Sequence, residues 1–216
     1  MRNRYEEQLD TLNHELTRMG AMCEEAISLA AKGLIEGSEE ALRKTSEIEE
    51  EIDKEESDIE SLCLKLLLRQ QPVARDLRQI TAALKMISDM ERIGDQAADI
   101  AELIPSLKGK GEPRHEQIAK MAEAAIKIMT ESIEAYIKRD VDIAKATIEH
   151  DDIIDAYFDE IKRSLIRLIA DSPEEGEYSL DLLMIAKYFE RIGDHAVNIA
   201  EWVIFSVTGF HKGMTE

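Results

Sequence analysis

The sequence has few of the residues that build β-sheets, tight turns or membrane spans. Aromatic residues make up only 5% of its 216 residues, and there are four prolines and ten glycines. Hydrophobic residues still make up 44% and charged residues 34%, a balance typical of helices with one buried and one wet face. The longest apolar stretches, such as residues 202–205, fall far short of the ~20 residues of a membrane span. We therefore predict an all-α protein that does not insert into a membrane.

Positive charge is also scarce. Lys and Arg number 27 against 46 Asp and Glu, which gives a formal net charge of −19. Binding to a nucleic-acid backbone requires clustered Lys and Arg, and an anionic membrane surface would repel such a chain. Neither partner is therefore expected. The charge would attract cations or a basic protein surface, although acidity alone often reflects only solubility.

Cysteine is nearly absent. Cys23 and Cys63 stand alone, each within a helical apolar pattern, which is typical of small core residues in a reducing compartment. Residues 1–7 lead straight into amphipathic sequence and do not resemble a signal peptide. We therefore expect a soluble protein in the cytoplasm.

Breaks in the apolar period divide the chain into long helices. The four prolines fall at such breaks, because proline is tolerated in the first turn of a helix but not in its interior. Ser38 and Asp140 offer N-cap side chains at two more breaks. Long helices with short connections pack as antiparallel bundles. The predicted helices are 3–35, 39–70, 73–105, 113–138, 141–170 and 177–209.

One segment of the chain occurs twice. The sequence ERIGDQAADIAE at 91–102 returns as ERIGDHAVNIAE at 190–201, with nine of twelve positions identical at an offset of 99. This repeat predicts two tandem, pseudo-symmetric antiparallel three-helix bundles, over 1–108 and 109–216. Apolar residues at spacings of 4, 3 and 4 predict the core stripe of each copy. The stripes are Ile93, Ala97, Ile100 and Ile104, and Ile192, Ala196, Ile199 and Val203.

Pairs of acidic residues four positions apart are repeated as well. Like charges at this spacing are mildly unfavourable in a helix, yet both copies keep them. Gly94 and Gly193, each enclosed by one pair, leave room for another group to approach the helix backbone. If pairs on adjacent helices face each other, a hard cation such as Mg²⁺, Ca²⁺, Mn²⁺ or iron would relieve the repulsion. The pairs are Glu49/Asp53 and Glu91/Asp95, then Asp151/Asp155 and Glu190/Asp194.

The acidic pairs also allow interpretations without a metal. The carboxylates could form salt bridges to Arg92 and Arg191, or belong to a metal-free scaffold with solvated faces. A di-iron oxidoreductase is disfavoured, because such bundles typically use Glu-x-x-His, a spacing that His150 and His195 do not have. No phosphate-binding loop or nucleophile elbow is present, so an enzyme is not expected. Four residues could extend the ligand set of a metal: Asp99, Glu102, Asn198 and Glu201.

Together with these pairs, two motifs resemble those of the PhoU family of phosphate-signalling regulators. They are the pentapeptide ERIGD, present twice, and RQQPVARDLR at 69–78. The resemblance implies a multinuclear iron or zinc cluster at the acidic pairs, and often a homodimer; manganese and magnesium are the alternatives that the oxygen ligands allow. It also implies a negative regulator of phosphate uptake and of the phosphate-starvation response. Such a protein links the ATPase subunit of the phosphate ABC transporter to a sensor histidine kinase.

The segment 69–78 has no counterpart in the second half, where residues 170–176 are acidic. One hypothesis is that Arg75, Asp76 and Arg78 form or brace a docking surface for a partner. An ordinary turn between two helices is the alternative.

Overall fold

The protein is almost entirely helical in the computed structural model, which describes residues 2–69, 72–107 and 116–211. No β-strand occurs in these ranges, and no helix in them is long and apolar enough to cross a membrane. The helices are α1 (Arg2–Glu36), α2 (Glu39–Arg69), α3 (Ala74–Leu103), α4 (Glu116–Lys138), α5 (Val141–Glu149), α6 (Asp151–Asp171) and α7 (Gly176–Thr208), with 3₁₀ turns at Ile104–Leu107 and Pro173–Glu175.

The predicted fifth helix consists of two segments, α5 and α6, that meet at His150. The backbone of His150 keeps helical angles, φ −72° and ψ −15°, and its N–H contacts the carbonyls of both Ala146 and Thr147. This local tightening interrupts the helix without a proline or a glycine. The helical spacing of apolar residues continues past His150, so the sequence pattern did not predict the break.

The predicted N-caps at two helix starts are confirmed. The carboxylate of Asp140 accepts backbone hydrogen bonds from Asp142 and Ile143, at 2.9 and 3.1 Å. The hydroxyl of Ser38 accepts one from Ala41 at 3.2 Å. Each cap satisfies backbone donors that the first helical turn leaves unpaired.

The two three-helix units pack around one continuous core. Helix α2 packs on α1 and α3, while α5 and α6 pack on α4 and α7. Between the units, α3 lies along α7 and α1 lies along α4. The buried residues of both units form a single cluster, and all eight stripe residues are at most 4% exposed. Cys23 and Cys63 are buried and unpaired. The predicted boundary at 108/109 lies outside the described residues.

Equivalent residues meet across the interface between α3 and α7. The carboxylate of Asp89 lies 2.9 Å from Nδ1 of His195 and accepts a hydrogen bond from Nδ2 of Asn198 at 3.1 Å. In the equivalent contact, with the roles of α3 and α7 exchanged, the hydroxyl of Tyr188 contacts Asp99. Positions 89 and 188 correspond in the repeat, as do 99 and 198. The two helices are therefore antiparallel and related by an approximate two-fold axis.

Candidate metal centre

Helices α2 and α3 bring together three of the predicted carboxylates. Glu49, Asp53 and Asp95 each offer an oxygen, and these oxygens lie within 4.8 Å of one another. Glu49 and Asp53 share one face of α2 because they are four residues apart, and Asp95 comes from the antiparallel helix α3. Carboxylate oxygens at such spacing are the donor set that hard cations prefer. We call Glu49, Asp53, Glu91 and Asp95 the first acidic face.

A groove of about 370 Å³ continues from this group along α2 and α3. Asp99 and Glu102, which the sequence indicates as further ligands, line it together with Glu49 and Asp95. Burial and then the charges of Glu102 and Asp95 raise the pKa of Asp99, while Arg191 and Tyr188 partly offset that rise. The second unit therefore reaches the edge of the first acidic face. Tyr188 escapes sequence-based prediction because no local pattern connects α7 with α3.

The electrostatics of the first acidic face show uncompensated negative charge. Burial, followed by repulsion from Asp53 and Asp95, raises the pKa of Glu49. Burial and then Asp95 also raise the pKa of Asp53. The pKa of Glu91 rises through burial and Asp95, although Arg92 opposes the rise. Neighbouring carboxylates and partial burial both penalise the charged form, and a bound cation would reverse this penalty.

Glu91 lies outside the three-carboxylate group, and its carboxylate pairs with a neighbouring arginine. Arg92 lies 3.4 Å from the carboxylate of Glu91 and 3.2 Å from that of Asp95. The salt-bridge interpretation of the acidic pair therefore holds in part. The Arg92 side chain is 58% exposed, and such surface pairs stabilise a protein by only about 0–1 kcal/mol. Arg92 does not offset the charge of the whole face.

The second acidic face, formed by Asp151, Asp155, Glu190 and Asp194, is arranged differently. Among the residues that the structure describes, these four do not form a compact group like that of the first face. Burial, followed by the charges of Asp194, Asp155 and Glu190, still raises the pKa of Asp151 to about 6. The carboxylates are therefore near enough for their charges to act on Asp151, although burial is the larger cause.

A lysine lies within the second acidic face. The ammonium group of Lys187 pairs with Glu190, whose side chain is only 14% exposed, and it also opposes the rise in the pKa of Asp155 and of Asp194. The salt-bridge alternative assigns this role to Arg191, whereas the structure places Lys187 there and Arg191 near Asp99. The spacing of three residues between Lys187 and Glu190 was the available signal.

The space beside the two repeated glycines is taken up by a neighbouring helix. A Cβ atom on Gly94 would lie 3.1 Å from Cδ1 of Ile52, and one on Gly193 would lie 2.8 Å from Cδ1 of Ile154. The same Cβ on Gly193 would lie 3.0 Å from a carboxylate oxygen of Asp151. The glycines thus allow close packing of α2 on α3 and of α6 on α7. The expectation that they leave room for another group is correct, but that group is the packed helix.

The two histidines near the acidic pairs contact carboxylates elsewhere. Nδ1 of His150 lies 2.6 Å from the carboxylate of Glu131, and Nδ1 of His195 lies 2.9 Å from Asp89. Both rings are oriented by acids outside the two acidic faces. This arrangement does not supply the Glu-x-x-His ligands of a di-iron carboxylate centre.

The predicted docking residues have unequal exposure. Arg75 is exposed. Asp76 lies beside Tyr5, and the pKa of Tyr5 is raised first by burial and then by the charge of Asp76. Arg78 is half-buried and packs against the C-terminal end of α7, where a Cβ on Gly209 would lie 3.4 Å from its Cδ. Gln70 and Gln71 lie outside the described residues. The docking surface stays a prediction, with Arg75 as its most accessible member.

Comparison with known proteins identifies the family. The PhoU domain matches this chain twice, at residues 16–104 and 118–203. The phosphate-specific transport system accessory protein PhoU homolog of Clostridium acetobutylicum is 32% identical, over 95% of this chain and 94% of its own length. PhoU homolog 1 of Thermotoga maritima is also 32% identical, over 98% of this chain and 91% of its own.

Solved structures show the same architecture. The crystal structure of PhoU from Pseudomonas aeruginosa has a TM-score of 0.91 and 29% identity, and the match covers 95% of this chain and all of that one. The phosphate transport system regulatory protein PhoU from Streptococcus pneumoniae also has a TM-score of 0.91, with 25% identity and coverage of 97% and 100%. The chain belongs to the PhoU family.

Proposed function

We propose that this protein is an accessory regulator of a phosphate-specific transport system. In this role it represses phosphate uptake and the phosphate-starvation response from the cytoplasm, as an adaptor and not as an enzyme. The observation that carries the proposal is the match of both units to the PhoU domain, together with relatives that bear this description over nearly the whole chain.

The proposed partners are the ATPase subunit of the phosphate ABC transporter and a sensor histidine kinase, with the protein acting as a homodimer. The net charge of −19 favours a basic partner surface, because complementary charge increases the rate of association. Arg75, Asp76 and Arg78 are the proposed contact residues for one partner.

We further propose that the two acidic faces hold a multinuclear iron or zinc cluster, with manganese or magnesium as the alternative metals. Glu49, Asp53 and Asp95 would bind it in the first unit. Their oxygens suit a hard cation, and its charge would relieve the repulsion between α2 and α3. The residues of the second acidic face would bind in the same way once Lys187 is displaced.

A metal-free scaffold is the second candidate, because Arg92 and Lys187 already pair with carboxylates of the two faces. It would keep the same partners and the same fold. The two candidates differ in whether partner binding depends on metal.

Binding to the purified ATPase subunit tests both candidates. We expect the iron-loaded protein to bind, the chelator-treated protein to bind at least about tenfold more weakly, and Arg75→Glu to weaken binding. Arg43→Glu is the matched control, since Arg43 is an exposed arginine on α2. Equal binding with and without metal would favour the scaffold, and no binding in either state would contradict the adaptor role.

A further inference from the structure

A cavity of about 350 Å³ lies where the two units meet, between α1, α3, α4 and α7. None of the carboxylates of the two acidic faces lines it. Its volume falls within the range of small-molecule sites in proteins. The lining residues are Asn13, His14, Thr17, Gln79, Tyr136, Ile137, Arg139 and Ser206.

A chain of side-chain hydrogen bonds holds the polar wall of this cavity in place. Arg139 donates from Nη1 to Oε1 of Gln79 at 3.2 Å, and Gln79 donates from Nε2 to Oδ1 of Asn13 at 2.9 Å. The hydroxyl of Tyr136 donates to the same Oδ1 at 2.6 Å. Three helices are thereby linked, and the side chains are fixed before any ligand arrives, which is how binding sites limit their ordering cost.

The polar wall keeps hydrogen-bond donors that this network does not use. Oδ1 of Asn13 already accepts two bonds, its Nδ2 amide has no acceptor among the described residues, and Arg139 uses one N–H on Gln79. Within the described ranges, no carboxylate forms an ion pair with the Arg139 guanidinium. The lining contains no Asp or Glu, although the chain has 46 of them. A positive charge beside free donors, without an acidic partner, favours an anion.

The backbone at Arg139 also indicates that this side chain is needed there. Its φ is 53°, in the left-handed region that is unfavourable for residues with a Cβ. Asp140 N–H donates to the Ala135 carbonyl and Arg139 N–H to that of Tyr136, the pattern of a helix C-terminal motif that usually has glycine at this place.

Two further helix ends in the protein follow that preference for glycine. Gly37, with φ 65°, follows α1, and Gly209, with φ 83°, follows α7. At the end of α4 the chain places an arginine instead, at a conformational cost that glycine would avoid. Its guanidinium is thereby brought to the polar wall of the cavity.

We propose that this cavity binds a small organic anion. Its oxyanion group, a carboxylate or a phosphate monoester, contacts Arg139 and the amide of Asn13. Its uncharged body packs against Tyr136 and Ile137. The site uses none of the residues of the acidic faces and does not depend on bound metal.

Isothermal titration of the chelator-treated full-length protein with benzoate and phenyl phosphate tests the proposal. The two probes share one ring and differ in the oxyanion, so the stronger binder identifies whether the site prefers a carboxylate or a phosphate. Benzamide, which has a similar shape and no charge, is expected not to bind. Arg139→Gly is the decisive variant, because it removes the guanidinium and relieves the backbone.

We expect Arg139→Gly to be no less stable than the wild type and to bind the preferred anion at least about tenfold more weakly. Arg43→Gln, which removes an exposed arginine paired with Glu47, should bind like the wild type. Failure of both anions to bind the wild-type protein would overturn the proposal. Unchanged affinity in Arg139→Gly would overturn it as well.

Discussion

The two acidic faces come from one duplicated unit, yet they differ in how their negative charge is balanced. Position 187 of the second unit is a lysine that pairs with Glu190, and the equivalent position 88 is a serine that contacts Glu56 at 3.3 Å. The first face therefore keeps three close carboxylates without a lysine among them. The lysine gives the second face an internal cation beside the nearly buried Glu190, whereas the cation paired with the first face is the largely exposed Arg92.

The backbone adds a second difference between the faces. Glu49 lies within the uninterrupted helix α2, whereas Asp151 is the first residue of α6, directly after the break at His150. Its short side chain lies against Gly193 of α7. Burial, followed by the charges of Asp194, Asp155 and Glu190, gives Asp151 the most strongly raised pKa of the second face, about 6.

The largest effect is expected from removing the three neighbouring carboxylates of the first acidic face. Glu49→Gln/Asp53→Asn/Asp95→Asn should abolish metal binding there, because no charged ligand of the group remains. At a metal concentration of about 100 times the dissociation constant, the loss of metal-induced stabilisation would be about 2.7 kcal/mol. Metal content by inductively coupled plasma mass spectrometry and urea unfolding with and without Mn²⁺ measure it.

A charge-matched control is available on the same helix. Glu47→Gln/Glu51→Gln/Asp58→Asn removes three exposed carboxylates of α2 that lie outside the group. If both triple variants retain equal metal, the first acidic face is not the binding site.

An intermediate effect is expected when the lysine of the second face is replaced. Lys187→Ser copies the residue of the first unit and removes a competing cation, so the affinity of the second face for Mn²⁺ should rise by about tenfold. Calorimetry in the background of the first-face triple variant isolates this change. Lys162→Ser, which also removes a lysine near the Phe158 ring, should leave the affinity unchanged; an equal rise would point to net charge alone.

The smallest effect concerns the pH dependence of the metal-free protein. Since the pKa of Asp151 is about 6 when folded, against 3.8 as the ordinary value, the native state binds more protons than the unfolded state between these values. Stability should therefore fall as pH rises through this window. Asp151→Asn should stabilise the protein at pH 7 by about 1 kcal/mol, after solvent screening of a half-buried group.

Urea unfolding of the metal-free protein at pH values from about 4 to 7 measures this difference. The gain from Asp151→Asn should shrink towards the acidic end, because the unfolded state also takes up the proton as the pH approaches the ordinary pKa of 3.8. Asp152→Asn changes an exposed neighbour whose charge is the smallest named contribution to the raised pKa of Asp151, so its effect should depend much less on pH. A gain that is independent of pH would show that the carboxylate charge is not its cause.

Much of the fold could be predicted because its signals are local. The proline and N-cap positions set the helix boundaries, and the apolar stripes identified the core. The repeat predicted which helices correspond and which carboxylates share a face. The i,i+4 spacing placed Glu49 beside Asp53, and the antiparallel neighbour supplied Asp95, as the structure shows.

The features that escaped prediction depend on contacts between distant parts of the chain. The break at His150 has no proline or glycine to mark it, and the space beside Gly94 holds Ile52 of α2. The cavity at Arg139 needs four helices from both units. No periodicity within one helix reports such an arrangement, because each helix contributes only a few of the lining residues.

The interface between α3 and α7 affects how the two halves of this protein can evolve. In a symmetric dimer of separate units, one surface must complement itself, so both copies of a contact are identical. Here Asp89 meets His195 and Asn198, while the equivalent Tyr188 meets Asp99. Because the two units are joined in one chain, each of the two equivalent contacts can acquire its own side-chain chemistry. A self-complementary interface has thereby become a directional one, in which exchanging the two halves would no longer reproduce the same molecule.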